Sequence, residues 1–261
     1  LMGDLGYSWN KGTRNGGVVD VIDSKLQSKV SEMRKSGLNI MMSMKNDAKP
    51  VSFIEDCAVE LKDLAEYTDG LNKIFDKYNV KGTWYAHASV GCLHVRPVLN
   101  MKIQDDVVKM RNIANETSSL VKKFKGSYSG EHGDGIARSE FNEIMFGKKM
   151  TNIFKIIKNS FDPFNIFNPG KIVDAPKLDA RDYFRYAPSY NAENIDTILD
   201  WSSWTGSSGG FQGAIEMCNN NGSCRKLEGG VMCPSFRVTK DEKDSTRGRA
   251  NSLRLALSGQ L

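Results

Sequence analysis

The order of its periodic segments is the feature of this sequence that most constrains the fold. Between residues 51 and 161, segments whose apolar residues are typical of a strand take turns with segments in which apolar residues recur every three to four positions. This order predicts a strand over 51–59, an amphipathic helix, a hairpin over 83–99, a second helix, a strand end and a third helix. It is typical of an α+β domain with a ferredoxin-like antiparallel sheet and helices packed on one face.

Apolar residues at spacings of three and four positions mark the helices within this order. Gly82 ends the first helix, and the segment Phe161-Asp162-Pro163 ends the third. A separate helix is predicted over 25–45. The positions that indicate the first two helices are Leu64, Tyr67, Leu71, Ile74 and Tyr78, and then Val107, Met110, Ala114, Thr117, Val121 and Phe124.

The length of 261 residues is sufficient for one sizeable core with an appendage, or for two small domains. Its 39% hydrophobic and 26% charged content is typical of a globular domain. No apolar run approaches the roughly eighteen residues of a membrane-spanning helix, so we expect no transmembrane segment. Because the sequence begins at Leu1 rather than Met and stops within an amphipathic pattern, we expect a piece of a longer protein.

Cysteine content and charge indicate the compartment and the kind of partner. Five cysteines in a chain of this length do not suggest a disulfide scaffold, which favours a reducing cytoplasm; peripheral membrane association stays open. The net charge of +5 is small, although residues 225–261 carry eight basic against four acidic residues. A solvated or partner-facing surface explains this excess better than nucleic-acid binding, which we do not expect.

Changes in composition predict four segments. Residues 1–24 are rich in glycine and asparagine and predict an N-terminal loop or cut end. The α+β domain follows over 25–174. A linker over 175–212 is rich in proline, serine and asparagine, and the cysteine-bearing segment over 213–261 completes an irregular C-terminal extension.

All three histidines of the chain fall in two short motifs that contain glycine, which points to chemistry rather than packing. His87 and His94 flank Gly91, while His132 directly follows Glu131. Two imidazoles and a carboxylate form a good site for a divalent cation, and a third imidazole is a good base near neutral pH. The alternative is that each histidine is a buried, hydrogen-bonded structural residue, but their grouping favours a functional site.

A two-residue turn at Val90-Gly91 would bring the two outer histidines together, with glycine supplying a positive φ. In that register His87 lies directly opposite His94, with Cβ atoms about 4.5–5.5 Å apart. Alternation along the strand then places Arg96 on the same face as His94. Glu131 would complete a three-ligand metal site, which would leave the adjacent imidazole free as a base.

Four motifs in this order resemble the C-terminal substrate domain of the FAD-linked oxidases related to D-lactate dehydrogenase, glycolate oxidase subunits and D-2-hydroxyglutarate dehydrogenase. That family carries Gly-His-x-Gly-Asp-Gly-Asn-Leu-His, then Gly-Glu-His-Gly, Phe-Asp-Pro and Asn-Pro-Gly-Lys. The resemblance covers residues 25–174, and residues 53–59 are similar to the family's first strand of this domain. The matching motifs are residues 86–94, Gly130-Glu131-His132-Gly133, Phe161-Asp162-Pro163 and Asn168-Pro169-Gly170-Lys171.

The resemblance implies that this chain is the substrate-capping part of a flavin-dependent dehydrogenase of small D-2-hydroxy acids, of the D-lactate or D-2-hydroxyglutarate type. It implies that His87, His94 and Glu131 hold a divalent metal, commonly zinc, and that His132 abstracts a proton from the substrate hydroxyl. FAD would be bound mainly by an N-terminal domain of the same protein, because this sequence has no Gly-x-Gly-x-x-Gly loop.

Further site residues are implied by the same resemblance. The family has an upstream arginine that grips the substrate carboxylate, and Arg34 lies in a segment similar to that position. Outside the resemblance, Arg96 stands where relatives often carry a small polar residue, and it and Arg138 are further candidates to bind the carboxylate. Asn168 and Lys171 of the last motif are implied to contact the cofactor.

The turn of the first family motif is matched only in part. Ser89, Val90 and Cys92 stand where the family has glycine, aspartate and asparagine. The implied metal ligands are unchanged, but we expect the turn and the hydrogen bonds around the ligands to differ.

The cysteines near the C-terminal end resemble the opening motif of the ferredoxin-like iron–sulfur module that some larger family members carry. Cys218, Cys224 and Cys233 are the candidate ligands of a 4Fe–4S cluster that would receive electrons from FAD in the full-length protein. Asn221 stands where that motif has its middle cysteine, and three thiolates do not fill a four-cysteine site. Reduced cysteines in a loop are therefore the alternative, and the final electron acceptor stays unspecified.

Two other functions are compatible with the residues alone. A zinc-dependent hydrolase would use the same two histidines and glutamate with a metal-bound water, but the Asn-Pro-Gly-Lys motif would then be unexplained. A non-enzymatic module would use its basic, cysteine-bearing end to dock an electron-transfer partner or RNA.

Overall fold

The structure, a computed structural model, describes residues 21–188, 190–193, 195–229 and 233–261. Its internal contacts divide the chain into two units, with the boundary between Met41 and Met42, and each unit is described by itself. The predicted N-terminal loop over 1–24 lies mostly outside the described residues.

The first unit contains helix α1, Ser24–Met41. The side chain of Asp23 accepts a hydrogen bond from the main-chain nitrogen of Leu26 at 2.7 Å, which satisfies one of the free N–H groups at the start of the helix. The predicted helix over 25–45 is therefore confirmed apart from its last turn.

The second unit is built on a four-stranded antiparallel sheet whose central strand is β4, Cys92–Leu99. Strand β3, Gly82–His87, pairs with β4 over residues 92–97. Two short strands, β1 (Lys49–Pro50) and β2 (Cys57–Ala58), pair with the two ends of β4. Nearly every residue of β4 is buried, as expected for a central strand that is covered on both faces. The predicted hairpin over 83–99 is confirmed.

The predicted strand over 51–59 is wrong for most of its length, because only the two residues of β2 pair with a neighbour. Asp56 has a φ of +79°, outside the extended region, so the chain turns immediately before β2. Phe53 and Ile54 are both 1% exposed although they are adjacent, which is the burial expected of a packed turn rather than of a two-sided strand.

Helices α2, Leu64–Lys77, and α3, Gln104–Lys123, pack together beside the sheet and confirm the two predicted amphipathic helices. Acidic residues in the first turn of α3 and lysines in its last turn complement the helix dipole. The buried side chains that form the centre of the core are Phe53, Tyr67, Leu71, Val95, Leu99, Val107, Ile113, Val121 and Phe141.

A short helix, α4 (Gly135–Arg138), precedes the third helix, which is predicted from Phe141 onward and is present but broken into α5 (Asn142–Phe146) and α6 (Lys148–Phe161). Gly147 separates the last two because its φ of +81° is incompatible with a continuous right-handed helix. The predicted end of the helix at Phe161 is confirmed.

The C-terminal part contains α7 (Gly210–Glu216), α8 (Pro234–Thr239) and α9 (Thr246–Leu257). The buried ammonium of Lys102 joins it to the sheet region, since Nζ lies 2.6 Å from Oδ1 of Asp47 and 2.7 Å from Oε2 of Glu216. The unit is therefore α+β with an irregular extension, while the proposed segment boundaries near 175 and 213 stay predictions. Within the described parts of the chain, no helix has the length and apolar character needed to cross a membrane.

Candidate metal centre

The hairpin between β3 and β4 has a longer turn than the two-residue turn predicted. Residues 88–90 form a single 3₁₀ turn, so Tyr85 rather than His87 is the partner of His94, and His87 pairs with Cys92. The predicted register is therefore wrong. Gly91 does supply a positive φ of +69°, and a Cβ atom at this position would lie 1.9 Å from the carbonyl oxygen of Val59.

The histidines and the glutamate nevertheless converge. Oε1 of Glu131 lies 2.8 Å from Nε2 of His94, 3.3 Å from Nε2 of His87 and 3.5 Å from Nε2 of His132. The ring centroids of His94 and His132 are 5.0 Å apart and the rings are stacked at 12°. Three imidazole nitrogens thus face one carboxylate oxygen, so the structure brings the four predicted residues of the site together.

One side of this group is closed and the other is open. The side chain of His94 is 2% exposed, whereas those of His87, Glu131 and His132 are 45%, 45% and 42% exposed. Burial lowers the pKa of His94, so its imidazole is neutral near neutral pH, the form that binds metal ions. A ligand can therefore approach from the side of the three exposed residues.

Asp56 is a residue of this site that the sequence interpretation missed. Its carboxylate is fully buried and accepts hydrogen bonds from the main-chain nitrogens of Glu131, at 3.0 Å, and His132, at 2.7 Å. Burial alone would raise the pKa of Asp56, but these hydrogen bonds to its charged form outweigh burial and lower the pKa. The signal available in the sequence was the adjacent pair Glu55-Asp56 within an apolar segment. Carboxylates are almost never buried without a partner, so such a pair indicates that partners lie close to it in the fold.

Glu55 connects Arg96 to the imidazole of His132. Nε of Arg96 donates a hydrogen bond to Oε2 of Glu55, while Oε1 of the same carboxylate lies 3.8 Å from Nδ1 of His132. Both Glu55 and Arg96 are buried. The structure therefore brings Arg96 into contact with the carboxylate that lies beside His132, with its Nε bound to Glu55.

Arg138 is held within the protein. Its guanidinium donates hydrogen bonds to the carbonyl oxygen of Glu55 and, at 2.6 Å, to that of Gly133. It also lies 3.8 Å from Oδ2 of Asp56, and the residue is 8% exposed. These contacts favour a structural role at the base of the site over the predicted contact with substrate, which stays untested.

The chemistry of the nearby donors distinguishes two possible ligand sets. In the part of the chain that the structure describes, one compact group of metal-binding atoms is Asp56, Cys92, His94 and Glu131, all within 4.8 Å of one another. Burial raises the pKa of Cys92 to about 12, and the thiol donates to Oδ1 of Asp56 at 3.5 Å. Since the Asp56 carboxylate is already bound by main-chain N–H groups, His87, His94 and Glu131 remain the predicted ligands.

Asn168 and Lys171 lie away from the histidines, in the segment that follows α6. Nζ of Lys171 is 3.4 Å from Oδ1 of Asn168, and both residues line an open cavity of about 530 Å³ together with Phe154 and Phe167. The cavity wall is largely apolar, which fits contact with another part of the protein or a cofactor. Their predicted cofactor role stays a prediction.

The three C-terminal cysteines are free thiols. Cys224 and Cys233 are buried in a small cluster with Phe236, and hydrogen bonds from the start of α8 lower the pKa of Cys233 to about 7. The Cys218 thiol contacts Asn220 and Asn251 instead. Among the described residues these cysteines do not form a compact group of three or more metal ligands.

Arg34 lies on α1 and its side chain is exposed. Because α1 belongs to the first unit, the structure does not test whether Arg34 reaches the histidine group. The prediction for this residue therefore stands as made.

The fold and the site define the class of protein. The sequence matches the family of FAD linked oxidases, C-terminal domain, over residues 10–172, which is more than half of the chain. The chain belongs to this family, as the sequence motifs indicate.

Individual relatives agree with this family. The chain is 33% identical over 229 residues to the D-2-hydroxyglutarate dehydrogenase of Haemophilus influenzae, covering 87% of this chain and 21% of that protein. It is 31% identical over 228 residues to the protein of the same name from Escherichia coli, covering 87% of this chain and 22% of the relative. The D-lactate dehydrogenase of Archaeoglobus fulgidus is 31% identical over 125 residues, which cover 48% of this chain and 27% of the relative. The chain therefore spans about a fifth of the length of the D-2-hydroxyglutarate dehydrogenases that it matches.

Proposed function

We propose that this chain is the substrate-capping part of a flavin-dependent dehydrogenase of D-2-hydroxy acids. The observation that carries the proposal is the convergence of three imidazole nitrogens on Oε1 of Glu131, at 2.8, 3.3 and 3.5 Å. Oxidation of a hydroxyl group is assisted by a metal ion that polarises its oxygen and by a base that takes its proton. These residues offer ligands for the metal ion and an imidazole for the base. The relatives named for D-2-hydroxyglutarate and D-lactate support this class of substrate.

His87, His94 and Glu131 are the residues that would hold the divalent metal, of which zinc is the best candidate for two imidazoles and a carboxylate. A zinc ion bound here supplies a Lewis acid that lowers the pKa of the substrate hydroxyl. The three side chains would bind and orient the metal ion. The partial exposure of His87 and Glu131 leaves room for a substrate oxygen.

His132 would take the proton of the substrate hydroxyl. Its Nδ1 lies 3.8 Å from the Glu55 carboxylate, which would orient the ring when Nδ1 carries the proton. Nε2 lies on the side of the ligand group, 3.5 Å from Oε1 of Glu131. Glu55 thus orients the base, and the side chain of His132 remains exposed enough to reach a bound substrate.

Arg96 and Arg34 would orient the substrate carboxylate. Arg96 is supported by its contact with Glu55, because a guanidinium held at Nε can present its two terminal nitrogens as a fork to a carboxylate. Arg34 is supported by the family resemblance of its segment. D-Lactate and D-2-hydroxyglutarate are the two candidate hydroxy acids.

Asn168 and Lys171 would contact FAD from this chain, and FAD, bound mainly by an N-terminal domain, would supply the hydride acceptor. A 4Fe–4S cluster is the proposed redox partner of FAD in the full-length protein. Among the described residues, Cys218, Cys224 and Cys233 do not by themselves fit a four-cysteine site, so no transfer step is assigned to them.

The proposal is tested by His132→Ala in the full-length enzyme. Mixing with D-2-hydroxyglutarate or D-lactate under anaerobic conditions should reduce the flavin of the wild type, and the variant should lose about 10²–10⁴-fold in rate, which is typical for loss of a general base. FAD and zinc contents should stay at the wild-type values. Flavin reduction at the wild-type rate in the variant would contradict the assigned role, and no reduction of the wild type by any 2-hydroxy acid would contradict the proposed function.

A further inference from the structure

We infer that Asp56 is the positioning residue of this site and that it holds both the metal ligand Glu131 and the base His132 by their main-chain N–H groups. The inference rests on the proposed function for the roles of those two residues. It concerns how the loop that carries them is fixed against the sheet.

The carboxylate of Asp56 organises one loop. Oδ1 and Oδ2 each lie 3.0 Å from the main-chain nitrogen of Glu131, and Oδ2 lies 2.7 Å from that of His132. The hydroxyl of Ser129 donates to the same oxygen at 3.2 Å. Because Asp56 is 0% exposed, these hydrogen bonds to a charged acceptor are made away from water, where they are strongest.

The main chain of Asp56 extends this organisation to the other half of the site. Its N–H donates to the carbonyl oxygen of Leu93 at 2.9 Å, and its own carbonyl oxygen accepts from Gly130 at 2.7 Å. Leu93 directly precedes His94, and Gly130 directly precedes Glu131. A single residue therefore sets the separation between the ligand on β4 and the ligand on the loop.

The backbone of Asp56 is consistent with this role. A φ of +79° is unfavourable for a residue with a Cβ atom and persists only where the surroundings fix it. Arg138, itself anchored by two carbonyl oxygens, lies 3.8 Å from Oδ2 and balances the buried charge. The carboxylate is thus held from both sides.

Asp56→Asn is the informative substitution, because it preserves size but replaces one acceptor oxygen by an NH₂ group that would face N–H donors. We expect the variant to bind zinc about 10–100-fold more weakly than the wild-type chain, as is typical when a group that orients a metal ligand is lost. The measurement is the competition of each protein with a chelator for zinc. Thermal unfolding of the same samples reports stability separately.

Asp47→Asn is the matched control. Asp47 is a partly buried carboxylate that also accepts a main-chain N–H, that of Ser207 at 2.6 Å, but it pairs with Lys102 outside the site. This variant should lose thermal stability and keep the zinc affinity of the wild type. Wild-type zinc affinity in Asp56→Asn, or an equal loss in Asp47→Asn, would overturn the inference.

Amide hydrogen exchange of the wild-type chain tests the inference even if Asp56→Asn does not fold. The main-chain amides of Glu131 and His132 should exchange slowly although their side chains are exposed, and exchange at the rate of open loop amides would overturn the role of Asp56. If the wild type binds no zinc, the proposed metal centre fails, while the exchange rates still decide whether Asp56 holds the loop.

Discussion

Nε2 of His94 lies 2.8 Å from Oε1 of Glu131, although one side chain is 2% exposed and the other 45%. The contact joins the buried central strand to a loop at the surface. A metal ion held there would have one rigid ligand from the core and two ligands, His87 and Glu131, on the side from which substrate can enter. Such a site would hold one ligand rigidly and leave the metal ion accessible to substrate.

Arg96→Lys in the full-length enzyme should raise KM for the hydroxy acid by about 10–100-fold, because a lost charge-assisted hydrogen bond is worth about 1.5–3 kcal/mol. Zinc content should not change. Steady-state kinetics with each hydroxy acid give this value. If KM is unaffected in Arg96→Lys but rises in Arg34→Lys, the upstream arginine is the carboxylate partner instead.

Arg138→Lys should act on stability. The ammonium cannot replace both hydrogen bonds to the carbonyl oxygens of Glu55 and Gly133, and a buried acceptor left unsatisfied costs about 1–3 kcal/mol. Denaturant unfolding of the chain should show this loss, while KM in the full-length enzyme stays at the wild-type value. A raised KM without a loss of stability would return Arg138 to the substrate site.

Cys92→Ser should leave zinc affinity within about threefold of the wild type, because a serine hydroxyl retains a donor toward Asp56. His87→Ala should instead lower the zinc affinity by more than the roughly 10–100-fold that is lost when a residue hydrogen-bonded to a metal ligand is removed. Chelator competition compares the two variants directly. A larger loss in Cys92→Ser than in His87→Ala would favour the ligand set that contains the thiol.

Acidification should remove the contribution of Asp47 to stability. Burial raises the pKa of Asp47, but the hydrogen bonds from Lys102 and Ser207 outweigh this effect and hold its pKa below the ordinary 3.8. The stabilisation is therefore complete above pH 3.8 and is lost as the pH falls through the lowered pKa of the folded state. The difference in Tm between the wild type and Asp47→Asn should shrink in that range, and a difference independent of pH would contradict the assignment.

The helices and the hairpin could be predicted because their signals are local. In α2, the spacing of Tyr67, Leu71 and Ile74 fixes both the helix and its buried face. Gly91 correctly marked the turn of the hairpin. The register could not be predicted, because the 3₁₀ turn over residues 88–90 that shifts it depends on local backbone geometry that a two-residue turn signal does not contain.

The conformation of Asp56 depends on contacts that are distant in sequence. Its positive φ and its buried charge are stabilised by the loop of Glu131 and His132, so no local propensity indicates them. Apolar neighbours such as Phe53 and Ile54 suggested a strand instead. The family motifs implied the ligands, whereas the contacts of Asp56 with the loop of Glu131 and His132 are seen only in the folded structure.

We propose that two imidazoles and one carboxylate bind a metal ion beside a free base. X-ray absorption at the zinc edge of the zinc-loaded chain measures which atoms bind the ion. We expect a shell of nitrogen and oxygen ligands at about 2.0–2.1 Å and no sulfur shell, with two imidazole contributions that fall to one in His87→Ala. A sulfur contribution near about 2.3 Å, or a chain that retains no zinc, would contradict it.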